Sequence, residues 1–242
     1  MITCSKINTL RGRVGANTRR ACSLAVFRVF CKSLAFTLAE VLITLGIVGV
    51  VAAMVIPSLI SNIREQIINN QFKKSYAVVV NALKMVSNEG YYCAYKKEQS
   101  TLASGSQCAK FFGSIPDFVR MQSVCKGDAL EKGCIPKYTG KLETQSGGCP
   151  GFSQEYILNR DTAYVFADNT TLITYGPTGH LPIFILDVNG HGRPNKLGYD
   201  AFIFRMVQDE IDNFKLIGDG CDNLIEKGGR TGNKMLKLLI KK

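Results

Sequence analysis

Three sets of residues in this 242-residue chain have types and spacings suited to chemistry. The first is one carboxylate, Glu40, near the start of FTLAEVLITLGIVGVVAAMVIP, a run from Phe36 to Pro57 with no other formal charge. An ionisable side chain inside a membrane span is expensive and usually marks function, and charge pairing is the chemistry it offers. The second is DVNGHGRPNKLGYD, from Asp187 to Asp200. Asp187, Asn189, Asn195 and Asp200, with backbone carbonyls, supply the oxygen ligands that surround a hard cation such as Ca²⁺. The same stretch also reads as a tight β–β connection, with Asp and Asn capping the turn and Gly190, Gly192 and Gly198 supplying positive φ. The third set is the six cysteines after the apolar run: Cys93, Cys108, Cys125, Cys134, Cys149 and Cys221. Six is an even number suited to disulfides, and spacing alone leaves their pairing open.

Other chemistries are poorly served. No two cysteines are spaced C-x-x-C, and the only histidines are His180 and His191, so a structural zinc site lacks its usual close ligand pairs. The loop departs from an EF-hand, because His191 stands at the fifth ligand position and no glutamate follows at the twelfth. There is no Ser/His/Asp set, Gly-rich phosphate loop or His-based metal motif, and we expect no enzyme. The net charge of +11 suggests nucleic acid only at first sight. Residues 1–35 hold seven of the 30 basic side chains and no acid, so residues 36–242 carry 23 basic groups against all 19 acids, a net +4. The positive charge belongs to a leader, and no nucleic-acid partner is expected. Disulfides persist outside the reducing cytosol, which is where the later part of the chain should work.

The elements that would position these residues follow from periodicity. Phe36 to Ile56 is 21 residues, and as an α-helix spans about 30 Å, the thickness of a hydrocarbon core. In lipid the backbone must satisfy its own polar groups, so a helix is required. Gly46 and Gly49 suit close packing of membrane helices. The run is too long for the apolar core of a cleaved signal peptide. The basic residues before it put residues 1–35 in the cytoplasm and the rest outside. The helical pattern then continues as SLISNIREQIINNQFKKSYAVVVNALKMVSNEG, with apolar residues three to four apart, and ends at Gly90. Pro57 is expected to kink this helix of about 50 residues.

After the helix, residues 91–150 are turn-rich, and Phe111, Phe112, Ile115, Phe118 and Val119 suggest a short buried element. From residue 155 the pattern turns β, with strands expected at Tyr156–Leu158, Ala163–Ala167 and Thr171–Tyr175 and a turn at Asp168-Asn169 joining the last two. HLPIFILDVNG and YDAFIFRMV each add a strand. Hairpins without intervening helices imply an antiparallel sheet. The expected class is α+β: a long N-terminal helix, membrane-spanning in its first half, packed on a small antiparallel β-sheet head. Asn169-Thr170-Thr171 fits a glycosylation acceptor as a bare tripeptide. The basic end, KGGRTGNKMLKLLIKK, reads as a mobile terminus or an amphipathic membrane-touching tail.

The segment A-FTLAEVLITLGIVGVVAAMVIP resembles the processing and methylation motif of type IV prepilins and type II secretion pseudopilins. The resemblance implies that a membrane peptidase cuts between Ala35 and Phe36 and that the same enzyme methylates the new amine on Phe36. Ala35 stands where the family usually has glycine. Glu40 matches the family's glutamate at the fifth mature residue, Pro57 its helix-kinking proline, and Gly49 a position where the family often has glycine. The implied organisation is a cytoplasmic leader, removed (1–35), a transmembrane assembly helix (36–56), its amphipathic continuation (57–90), a cysteine-containing extracytoplasmic head (91–230) and a basic tail (231–242), together a pilin-like fold. The Asp187–Asp200 loop is similar to one seen in pseudopilin-like heads, some of which bind calcium.

The resemblance implies a structural subunit whose partners are copies of itself or other pilin-like subunits, the processing peptidase and inner-membrane lipid. It would be minor rather than major and would assemble into a type IV pilus or a type II secretion pseudopilus. The amine created at Phe36 would meet Glu40 of a neighbour and set the register of assembly. The alternative is a monomeric membrane-anchored module whose head binds calcium, sugar or DNA. No cofactor is expected beyond calcium.

Overall fold

The computed structural model describes residues 37–96, 105–141, 161–175, 181–210, 213–218 and 224–240. By contact the chain divides into a unit up to Val51 and a second from Ala52 to Lys242, the boundary falling inside the first helix. That helix, α1 (Leu38–Asn88), is 51 residues long and continues through Pro57. Proline removes one backbone donor there, and the four-residue spacing makes the Ala53 carbonyl the acceptor left without it. The helix ends where its sequence says it should. Gly90 adopts φ 88°, a conformation that only glycine takes without cost, and its N–H donates to the Ser87 carbonyl at 3.1 Å.

Of the first unit, the described part is the first turns of α1, and its apolar side chains from Leu38 to Val51 are exposed. The second unit is an α+β assembly. Six strands, β1 (Met121–Lys126), β2 (Thr162–Phe166), β3 (Thr171–Thr174), β4 (Ile183–Asp187), β5 (Ala201–Asp209) and β6 (Asn213–Gly218), form one antiparallel sheet in sequence order. The expected β2–β3 turn is present: Asn169 takes φ 66° and the Asp168 carboxylate accepts the Thr170 N–H at 3.1 Å. The segment Tyr156–Leu158 lies outside the described residues.

Both faces of the sheet are covered, which is why its central strands β2 to β5 read as largely apolar runs. On one face Tyr164, Phe166, Phe184, Leu186, Phe202, Phe204 and Met206 pack against Phe72, Val79, Leu83 and Val86 of α1. On the other face the alternate residues Ala163, Val165, Ile173, Ile185 and Ile203 meet Ile135, Tyr138, Leu197 and Leu224 from connecting segments. Phe72 shows how tight the first interface is. Its ring is fully buried, edge-on to Phe202 at 5.6 Å and stacked near Phe204 at 6.1 Å. Burial of such a ring stabilises by about 1.5–3 kcal/mol.

Three features differ from the expectation. The apolar cluster after the first cysteines is two helices, α2 (Gly105–Gly113) and α3 (Ile115–Phe118); Phe111, Phe112 and Ile115 are buried, but Phe118 is exposed. Strands β1 and β6 come from stretches not expected to be β. The basic tail includes a helix, α4 (Gly232–Ile240), seated on β6 and β5 with Met235 fully buried. Its three-to-four spacing of apolar residues gives it a face to bury, so over the described residues it is a packed helix rather than a free end.

Candidate functional site

At the N-terminal end of α1 the residues form a reciprocal cap. Thr37 Oγ1 accepts the Glu40 N–H at 3.2 Å, and Glu40 Oε2 accepts the Thr37 N–H at 2.9 Å and its hydroxyl at 2.8 Å. This is a capping box: two orphan donors of the helix start are satisfied by the two ends of Thr-x-x-Glu. The sequence TLAE carries that signature, and attention to Glu40 as a lone charge passed over it. Glu40 therefore has local work within its own chain. Ala35 and Phe36 lie outside the described residues.

Beyond the cap, α1 is the one helix among the described residues long and apolar enough to cross a membrane, and its apolar stretch is unburied. This fits a membrane anchor. Gly49 and Pro57 lie in this exposed stretch. A Cβ built on Gly49 would meet nothing within 4 Å, so nothing in the single chain requires glycine there. The apolar exposure continues past Pro57 as Leu59, Ile60, Ile63 and Ile67.

The second site is the connection between β4 and β5. Asp187 closes β4, and its carboxylate is fully buried. Its Oδ1 accepts the N–H of Gly190 at 2.8 Å and of Asn189 at 3.1 Å, while Oδ2 accepts the Tyr138 hydroxyl at 2.6 Å. Asp200, also buried, accepts the N–H of Asn195 at 2.6 Å and of Lys196 at 2.8 Å. The two carboxylates fold the loop around themselves, so the turn-capping role expected of them holds. Gly190 and Gly198 take positive φ, as does Asn195, but Gly192 does not; a Cβ on Gly192 would instead press on the Asn189 side chain.

The electrostatics of this pocket are unbalanced. Burial pushes the Asp187 carboxyl up to about 7; the Tyr138 hydrogen bond opposes this, and the neighbouring Asp200 charge adds to it. Burial also raises Asp200, against the pull of the Lys196 and Asn195 amides. The Tyr138 phenol is driven well above its usual range by burial and by the charge of Asp187. Nearby, the amide oxygens of Asn189 and Asn195 are buried with no hydrogen-bond partner. Two buried carboxylates and two unsatisfied amide oxygens fit an oxygen-seeking cation. Among the described residues no three His, Cys, Asp or Glu side chains gather, so any cation here would draw on the amide oxygens as well as on the two carboxylates. His191 sits exposed at the loop tip.

Among the described residues two disulfides are formed. Cys93–Cys108 ties the segment after α1 to α2, with Cα atoms 4.7 Å apart, and Cys125–Cys134 ties β1 to the following loop, with Cα atoms 6.3 Å apart. Cys149 and Cys221 lie outside the described residues. No family model, curated protein or solved structure matches this chain.

Proposed function

We propose that the chain is a pilin-like structural subunit anchored by the first half of α1, with its disulfide-bonded head outside the cytoplasm. In this reading a prepilin peptidase of the inner membrane removes residues 1–35, cutting between Ala35 and Phe36, and methylates Phe36. The mature subunit then joins copies of itself or other pilin-like subunits, as a minor component of a type IV pilus or a type II secretion pseudopilus. It does so through α1 and performs no catalysis. The observation that carries the reading is an all-round apolar, unburied helix that opens on a single carboxylate and continues into the core helix of an α+β head. Lipid would cover about the first 30 Å of that helix, and neighbouring helices would cover the stripe beyond it. Glu40 has a cap within its own chain and, after cleavage, would face the new amine of an adjacent subunit in low dielectric.

Calcium in the Asp187–Asp200 loop belongs to the same proposal. Asp187, Asp200, Asn189 and Asn195 would hold it, and its charge would offset two buried carboxylates. The buried, partnerless Asn189 and Asn195 oxygens support this part. They are equally compatible with the second reading, a monomeric membrane-anchored module whose head binds calcium, sugar or DNA. The two readings separate on filament incorporation, with Glu40→Leu as the probe. A structural subunit carrying it should insert in the membrane but fail to join filaments, as read by shear-released protein on an immunoblot. Equal incorporation of variant and parent would remove the register role of Glu40, whereas a parent chain that never joins filaments would favour the anchored module. Titration calorimetry of the detergent-solubilised chain with Ca²⁺ tests the loop: heat that disappears in Asn189→Ala supports it, and no heat in the parent chain removes calcium from the account.

A further inference from the structure

We propose that residues 224–232 act as a strap coupling the Asp187–Asp200 loop to the stem helix, with Arg230 as the positioning residue. This goes beyond the assembly reading and depends neither on it nor on a bound cation. Helix α1 buries its first side chain at Phe72. Before that point half-buried Ile68 packs against the core, and the head reaches further back through Arg230, whose Nη1 donates to Asn69 Oδ1 at 2.5 Å and lies 3.6 Å from Glu65 Oε1. Glu65 and Asn69 are four residues apart, hence on one helix face one turn from each other. The tether therefore extends the grip of the head by three residues, from Ile68 back to Glu65, or about 5 Å of helix.

The other side of the strap is fastened to the loop. The Arg230 N–H donates to the Gly198 carbonyl at 2.7 Å, and the Tyr199 hydroxyl donates to the Lys227 carbonyl at 2.8 Å. The backbones approach so closely that a Cβ on Gly198 would lie 2.6 Å from the Ile225 side chain and 3.2 Å from Arg230 backbone atoms. At its far end the strap is pinned to the sheet, where a Cβ on Gly232 would come within 2.6 Å of the Ile203 carbonyl oxygen. The Asp200 carboxylate organises residues 195–200, Gly198 and Tyr199 hold the strap, and the Arg230 side chain passes that order to the stem at Glu65 and Asn69. Where the free stem begins is thus set partly by the loop, and with it how Ile63 and Ile67 are presented.

Hydrogen exchange of the full chain in detergent, followed by mass spectrometry over residues 63–73, tests the strap without requiring assembly. In Arg230→Ala the amides of that window should exchange about tenfold faster, while those of β4 and β5 keep their protection. Arg230→Lys should restore part of the protection. Tyr199→Phe should speed the same window by a smaller factor, and the double variant should exchange no faster than Arg230→Ala alone, because both act through one contact. Unchanged exchange in Arg230→Ala, or factors that multiply in the double variant, would overturn the proposal. Because the chain is unassembled throughout, a failure here leaves the filament reading standing, and failed filament incorporation leaves the strap standing.

Discussion

From Leu38 to Ile67, α1 is rich in Leu, Ile and Val and buries no side chain; from Phe72 to Ser87 it carries Lys73, Lys74, Asn81 and Lys84 and buries seven. The more polar half is the one in the core. Composition does not separate the halves in the way burial does, but periodicity does. In the second half Phe72, Ser75, Val79, Ala82, Leu83 and Val86 recur three to four apart and face the sheet, with the lysines opposite. Over its first twenty residues α1 is apolar on every side, and no single surface of its own chain could cover it. A helix of that kind is made for lipid or for other helices.

The sharpest way to break this contrast is to delete side chains on both sides of it. Phe72→Ala should lower head stability by about 3–5 kcal/mol, since it empties a filled site between Phe202 and Phe204. Val48→Ala should change it by less than about 0.5 kcal/mol, because the side chain packs on nothing in the chain. Denaturant melts of the solubilised protein would compare them. Opening Cys93–Cys108 with a double serine variant should remove about 2–4 kcal/mol from the head and leave membrane extraction unaltered.

A third prediction concerns pH. The Asp187 carboxyl titrates near 7 in the folded head against 3.8 as its ordinary value, so the folded state holds its proton more tightly than the unfolded chain. The resulting stabilisation is fully present below about pH 4 and is lost as pH rises through 7. With calcium chelated, melting temperature should be higher at pH 5 than at pH 8, and Asp187→Asn should flatten the difference. A melting temperature that rises from pH 5 to pH 8 in the parent but not in the variant would contradict this assignment. A local effect is expected at the cap. Thr37→Ala should fray the first turn, at a cost of about 1 kcal/mol, and leave the head melt unchanged. Glu40→Gln keeps a capping side chain but not the charge. Loss of filament incorporation in both Glu40→Gln and Glu40→Leu therefore assigns the role to charge, whereas loss in Glu40→Leu alone assigns it to the cap.

Much of this fold was legible. The long helix, its end at Gly90 and the central strands β2 to β5 follow from periods of 3.6 and 2 and from runs such as IFIL and AFIF. Strand β1 was hidden because MQSVCK is mostly polar or half-buried and becomes a strand by pairing with β2, a non-local contact. Strand β6 offered a short alternation, Phe214 and Leu216 buried around exposed Lys215, in only six residues. The last helix was obscured by its lysines, although Met235, Leu236 and Leu239 mark an apolar face. In the loop the carboxylates could be named in advance. Their partner Tyr138 could not, since 49 residues separate it from Asp187 and only the fold brings them together.

The proposed role of the apolar half of α1 in assembly requires that the chain in front of it be removed. Mass spectrometry and N-terminal sequencing of the protein extracted from membranes test that directly. The account predicts a chain beginning at Phe36 with a methylated amine. A chain that still begins at Met1, or one that begins beyond Ala53, would contradict it.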